Sequence, residues 1–458
     1  MTDSVGLEHI AFTQWAVKNG IRVNGVAPAY FPGRRLGMVA TRDVDENEIM
    51  LSIPVNLMLT IDSIPKAFLA QFPQGTPVQG ILAAFLTHGD GKSLAAMRIW
   101  QSVWPSWSEF EESMPIFWTG MFRVSHLPGD DRQNETQNGK MATKKAFSRL
   151  PPSISGSWNT SSTSTSSSNS KSNSLFKASS SSTSTSTSAS SDLDSHYEKR
   201  YQSLLPQQES RFERAWSSTI SVYPSTNFTT FAHKWAIINS RSFYYISPGK
   251  EEPEDWNDAI AMVPYADYFN HADDAACEVV FDGEWYTFKA TRRYEKGGEI
   301  YMNYGEHSND FLWVEYGFYL PNNPSDSIYL DEIIIPALSQ SEKKELTEQG
   351  CFGNYELTAS GVNTSVIAAA SIQYMNRQQW RDYVNNGSEE GFDGEKTAGV
   401  IRGWFEAYLR ECKAALDSIE GLSKCTITDS DKEKLESILA RWRQIRQLCE
   451  GATNNTTT

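Results

Sequence analysis

The sequence predicts an α+β fold: a β-rich core split by a helical insertion, followed by an all-α C-terminal domain. Three observations lead there. Strand-like alternation is confined to residues 33–54 and 263–320. Between these pieces the apolar spacing is helical, and it is interrupted by a long polar stretch. Residues 325–450 return to helical spacing almost throughout.

Each element has its own justification. Leu7, Ile10, Ala11, Gln14, Trp15 and Lys18 fall on one helical face, with Gly20 as a stop signal. Residues 36–42 and 48–54 read as two short strands around a polar turn. Residues 81–100 are apolar enough for one buried helix. Composition then shifts near Leu127, and residues 153–191 are almost wholly Ser, Thr and Asn. Such a stretch buries too little apolar surface to offset chain ordering, so 129–195 is expected to be a disordered inserted linker.

Order is expected to resume near His196. Residues 228–245 read as a helix with Phe231, Trp235, Ile238 and Ser242 along one stripe. Asp282-Gly283 between alternating runs is a strong hairpin signal, and residues 299–303 form a further strand. Ser308 or Asn309 can cap a helix beginning at Asp310. Further on, Ile401, Trp404, Phe405, Tyr408, Cys412, Ala415, Leu416 and Ile419 make one apolar face. Ser430-Asp431-Lys432-Glu433 reads as a capping box for a helix carrying Leu435, Ile438, Leu439, Trp442, Ile445 and Leu448. Residues 451–458 read as a frayed tail. The expected domains are thus 1–128, the linker 129–195, then 196–320 with the second part of the core, and the helical domain 325–450.

Bulk properties narrow the function. A formal charge of −15 and a pI near 5.0 argue against nucleic-acid binding and suit a basic protein partner. The five cysteines are scattered without a C-x-x-C pair, as expected of free thiols in a reducing compartment. No secretory signal and no membrane-spanning apolar run are visible, so a cytoplasmic or nuclear protein is expected. His271-Ala272-Asp273-Asp274 has metal-binding residue types but no second histidine at ligand spacing, and no metal is expected. The signatures of α/β-hydrolases, P-loop NTPases and Rossmann dinucleotide sites are missing.

The chemistry is carried by an ordered set of short motifs. They are Leu36-Gly37-Met38-Val39-Ala40-Thr41-Arg42-Asp43, Asn239-Ser240-Arg241-Ser242-Phe243, Pro264-Tyr265-Ala266-Asp267-Tyr268-Phe269-Asn270-His271, Gly298-Glu299-Ile300-Tyr301-Met302-Asn303-Tyr304-Gly305 and Tyr316-Gly317-Phe318. An isolated Asn-His or Tyr-Gly pair is usually an ordinary strand end, but this joint order across a hairpin is not. The set resembles the SET-domain protein methyltransferases of the Rubisco large-subunit methyltransferase-like group. That resemblance implies S-adenosylmethionine as cofactor and a lysine-bearing protein substrate, expected to be basic and to be a ribosomal protein or translation factor. It implies cofactor contacts from Arg34, Leu36, Gly37, Arg241, Asp267, Asn270, His271, Tyr316, Gly317 and Phe318. Tyr304 would be catalytic, and Phe243, Tyr265 and Tyr301 would line the substrate pocket. An apolar Phe243 suits a lysine stem, whereas a target imidazole would need a polar partner. The alternatives are a SET-like binding protein without catalysis and a histidine-directed enzyme.

Overall fold

The two strand-rich pieces pair with each other as well as each within itself. In this computed structural model, which describes residues 5–31, 35–118, 149–156, 197–199, 201–422 and 427–455, the first strand-rich region begins before the expected 33–54 and supplies β1 (Arg22–Val23), β2 (Val26–Phe31), β3 (Arg35–Ala40) and β4 (Ile49–Pro54). The second region supplies β5 (Ser242–Tyr244), β6 (Ile260–Met262), β7 (Asn270–His271), β8 (Cys277–Phe281), β9 (Trp285–Ala290) and β10 (Glu299–Met302). One sheet runs β1-β4-β9-β8 and another β2-β3-β10-β7, with β5 and β6 forming a separate pair. β10 lies antiparallel to β3 and parallel to β7, with Tyr301 opposite Asn270 and Met302 opposite His271.

Local chemistry explains these strands. Along β9 the side chains of Tyr286, Phe288 and Ala290 are buried in strict alternation, as a half-covered strand requires. Asp282 Oδ1 accepts the N–H groups of Glu284 and Trp285 at 2.9 and 2.7 Å and tightens the predicted hairpin.

The chain divides into two compact units. The first holds Met1–Leu150, Ser203–Asp326 and Thr428–Lys434; the second holds Pro151–Gln202, Ser327–Ile427 and Leu435–Thr458. In the first unit, helices Leu204–Val222 and Phe228–Arg241 converge on Glu315, in helix Asn309–Tyr316. Arg211 donates to both Glu315 oxygens at 2.5 and 2.7 Å. Asn239 Nδ2 donates to the Glu315 carbonyl at 2.9 Å and to its Oε2 at 3.0 Å. Gln208 adds a bond to the Val314 carbonyl at 2.7 Å. A buried carboxylate is tolerated only when it is satisfied in this way.

In the second unit, helix Gly394–Leu422 buries the whole predicted stripe from Ile401 to Ile419. Asp331 accepts the backbone N–H groups of Asn354 and Tyr355 at 2.8 and 2.9 Å and the Tyr197 hydroxyl at 2.7 Å.

Several expectations are corrected. The N-terminal helix, Leu7–Lys18, buries His9, Phe12 and Ala16, while Leu7 and Ile10 are 82% and 45% exposed. Packing of Phe12 against Tyr265 and Tyr268 decided which face turned inward. Residues 81–100 form two helices, Val78–His88 and Gly91–Gln101, because Asp90 caps the second through the N–H groups of Lys92 and Ser93. The helix expected over 228–245 stops at Arg241, where Ser242–Tyr244 pairs with β6. The C-terminal region is not all-helical. It holds a sheet of β11 (Ser327–Tyr329), β12 (Glu356–Thr358) and β13 (Gly361–Val362), too short for periodicity to register. Thr428, two residues before the predicted box, caps the last helix by accepting from Asp431 N–H at 3.1 Å. Cys449 completes its buried stripe where Leu448 was expected. That helix runs to Asn455, into the predicted tail. The predicted linker 129–195 lies outside the described residues apart from 149–156, where Leu150 and Ile154 are buried.

The two faces of the N-terminal helix give a direct check. Phe12→Ala should cost about 3–5 kcal/mol, while Ile10→Ser should stay within about 0.5 kcal/mol. Chemical denaturation of both variants measures the difference, and equal losses would contradict the observed packing.

Candidate active site

A cleft of about 1740 Å³ opens in the first unit between the strands and the inserted helices. Its walls include Leu36, Arg241, Phe243, Asp267, Asn270, His271, Tyr301, Tyr304, Tyr316, Gly317 and Phe318. The elements that aim these side chains come from distant parts of the sequence. Parallel pairing of β10 with β7 carries Tyr304 alongside the Asn270-His271 pair.

Tyr304 is pinned twice. Its backbone N–H donates to His271 Nδ1 at 3.1 Å, and its hydroxyl donates to the Phe269 carbonyl at 2.5 Å. Because the phenol proton is committed to Phe269, the oxygen lone pairs are left as acceptors. Burial pushes the Tyr304 pKa up to about 12, so the phenol stays protonated at neutral pH. The rings of His271 and Tyr316 lie 5.1 Å from that of Tyr304, and Phe318 lies 6.3 Å away. Gly317 ends helix Asn309–Tyr316 in a left-handed turn, φ 79°, that swings Phe318 towards this cluster.

His271 is buried, which lowers its pKa. With Nδ1 accepting from Tyr304, the neutral ring carries its proton on Nε2. Among the described residues that nitrogen is buried with no hydrogen-bond partner assigned.

Asn270 Nδ2 donates to the Leu36 carbonyl at 3.0 Å and to Glu299 Oε1 at 2.8 Å. A Cβ on Gly37 would come within 2.6 Å of both Asn270 Nδ2 and Glu299 Oε1. Gly37 thus leaves room for Asn270 and Glu299 to approach β3. Arg241 Nη1 donates to the Asp267 carbonyl at 2.6 Å and lies 3.9 Å from its Oδ2. Trp100 Nε1 donates to the same Oδ2 at 3.2 Å. The Asp267 side chain is only 3% exposed, and burial raises its pKa against the opposing pull of Arg241.

Arg241 Nε, Asp267 Oδ1 and His271 Nε2 are buried with no side-chain hydrogen-bond partner assigned among the described residues. Arg241, Asp267 and His271 all line the cleft, and a guanidinium, a carboxylate and an imidazole are group types suited to a molecule bearing a carboxylate, an ammonium and a polar heterocycle. This is the donor set that the amino-acid and base portions of S-adenosylmethionine call for.

Phe243 stands on β5 with its ring 5.9 Å from those of Tyr286 and Phe288, forming an apolar wall. The Tyr301 hydroxyl donates to Glu299 Oε2 at 2.5 Å. Tyr265 is placed elsewhere. It is completely buried in a left-handed conformation, φ 73°, 3.4 Å from the Thr13 hydroxyl, and is not part of the cleft wall. Its ring packs on Phe12 and Tyr268. Arg34 lies outside the described residues. Sequence reasoning missed Glu299 and Trp100. Glu299 stands two residues before Tyr301 on one strand face, a signal that was available; Trp100 had none.

Comparison with known proteins fits this geometry. Residues 35–305 match the SET domain family. A fission yeast (Schizosaccharomyces pombe) ribosomal lysine N-methyltransferase, set11, is 27% identical over 216 residues, covering 44% of this chain and 55% of the relative. Human (Homo sapiens) SET domain-containing protein 4 is 21% identical over 358 residues, covering 74% of this chain and 64% of the relative. The chain therefore spans less than two thirds of the length of either. The solved SET domain of LSMT bound to lysine and AdoHcy superposes with a TM-score of 0.53 at 13% identity, over 99% of this chain and 92% of that one. At that identity the likeness is one of fold.

The pinned imidazole has a measurable consequence. Its pKa is lowered in the folded chain, so below about pH 6.5 the unfolded state binds the proton more readily and this site loses stability as pH falls. Nitrogen NMR at pH 6.5 should show His271 more neutral than a free imidazole, with the neutral form's proton on Nε2. A doubly protonated ring at that pH would contradict the Tyr304 bond.

Proposed function

Because this chain belongs to the SET-domain family, we propose that it is an S-adenosylmethionine-dependent protein-lysine N-methyltransferase. The observation that carries the reading is the doubly pinned Tyr304 beside Asn270-His271, on a cleft wall that also carries Arg241 and Asp267. Arg241 would hold the cofactor carboxylate as a charge-assisted partner. Asn270, Asp267 and His271 would meet its amine and base, and Phe318 would cover the base by stacking. When bound, the cofactor supplies a methyl group on a positively charged sulfur.

The remaining work falls to residues of the chain. Tyr304 presents oxygen lone pairs towards the cleft, where they stabilise positive charge spreading over carbon and nitrogen during in-line transfer. The apolar wall of Phe243 and Tyr286 disfavours a charged ammonium, so the entering amine loses its proton to water more readily. No general base on the chain is needed. Alignment in a restricted cleft supplies much of the rate.

The proposed substrate is a non-histone protein, a ribosomal protein or translation factor encountered in the cytoplasm or nucleus. The name of the fission yeast relative supports this, as does a charge of −15 suited to a basic partner. Phe243 supports lysine over histidine as the target.

Purified chain with labelled S-adenosylmethionine should yield methyl-lysine in hydrolysed cell extract. Methyl-histidine alone would replace lysine as the target, and failure to bind S-adenosylhomocysteine in calorimetry would favour a binding protein without catalysis. Tyr304→Phe should lower kcat by about 10²–10³-fold while S-adenosylhomocysteine affinity changes by less than about threefold. The rate should show no falling limb from this phenol until pH approaches about 12.

A further inference from the structure

One carboxylate at the cleft stands behind its wall and not on it. Glu299 opens β10 and is not among the lining residues, whereas Asn270 and Tyr301, which it holds, both are. Its Oε1 accepts one amide hydrogen of Asn270 at 2.8 Å, and its Oε2 accepts the Tyr301 hydroxyl at 2.5 Å. The Leu36 carbonyl takes the second Asn270 amide hydrogen at 3.0 Å. Both N–H groups of the carboxamide are therefore spent on acceptors that cannot donate. A flipped Asn270 would set its own oxygen against a carboxylate and a carbonyl, leaving two part-buried acceptors without those hydrogens. A Cβ on Gly37 would collide with both partners at 2.6 Å, so the space between the strands is fitted to this clamp.

We propose that Glu299 is a positioning residue that locks the Asn270 carboxamide with its oxygen facing the cleft. The cleft then selects molecules that bring an N–H donor to that point, namely the α-ammonium of S-adenosylmethionine and its demethylated product. This rests on the methyltransferase reading, and adds to it a residue that touches neither cofactor nor substrate. The charge of Glu299 also favours a cationic group nearby.

Calorimetry with two probes tests it. S-adenosylhomocysteine carries the ammonium; 5′-methylthioadenosine keeps the base and ribose but lacks the amino-acid portion. In Glu299→Ala, affinity for S-adenosylhomocysteine should fall about tenfold or more, while affinity for 5′-methylthioadenosine should be unchanged. Glu299→Gln, which retains an acceptor for Asn270, should stay within about threefold of the parent for both. Equal losses for the two probes in Glu299→Ala, or no loss for either, would overturn the proposal. Should Glu299→Ala fail to fold, a swap serves instead. Asn270→Asp sets two carboxylates together and should weaken S-adenosylhomocysteine binding, and adding Glu299→Gln supplies the missing donor and should restore part of it. No restoration in the double variant would overturn the clamp. Parent protein that binds neither probe would instead remove the methyltransferase reading itself.

Discussion

The site hangs on one contact between distant segments, the double attachment of Tyr304 to the Phe269–His271 bend. The backbone bond fixes where the residue is, and the phenol bond fixes which way its oxygen faces. Both require β10 to run parallel to β7 in the observed register, with Tyr301 opposite Asn270. A slip of one residue would turn the alternate side chains to the other face of the sheet. It would bring Asn303 or Gly305 to the place of Tyr304 and break the attachment to the imidazole. Register is therefore a functional quantity in this chain as well as a structural one.

The inserted helices are joined to that same constraint by a buried charge. Glu315 is held by Arg211 and Asn239 at one end of helix Asn309–Tyr316, and Gly317 and Phe318 follow directly. The position of Phe318 on the cleft wall is thus set by polar bonds from two other helices. Tyr265 completes the support from below, in a left-handed conformation that a non-glycine residue adopts only when its surroundings demand it. Two residues later, Asp267 enters its buried contacts with Arg241 and Trp100.

Much of this was legible in the sequence because its signals are local. The Asp282-Gly283 turn, the strands after Gly37 and before Tyr304, and the stripe from Ile401 to Ile419 depend on neighbours along the chain. What escaped depends on partners elsewhere. The N-terminal helix has apolar residues on both faces, and only the aromatic surface of Tyr265 and Tyr268 selects Phe12 over Leu7. Ser242–Tyr244 continues a helical pattern until β6 offers it hydrogen bonds. The motif residues were found by type and order, but their division of labour was not. Gly37 makes room for Asn270 and Glu299, Asn239 serves Glu315, and Tyr265 packs inside rather than facing the cleft.

The interleaving of the two strand-rich pieces bears on how the chain is made. Val39 pairs with Glu299, about 260 residues later in synthesis. At ribosomal speeds of about 5–20 residues per second, β3 waits about 13–50 s for its neighbour. Throughout that interval one edge of the β2–β3 hairpin offers unpaired N–H and carbonyl groups to any passing strand. The nascent protein is most exposed to mispairing on the ribosome, before its active centre has been translated.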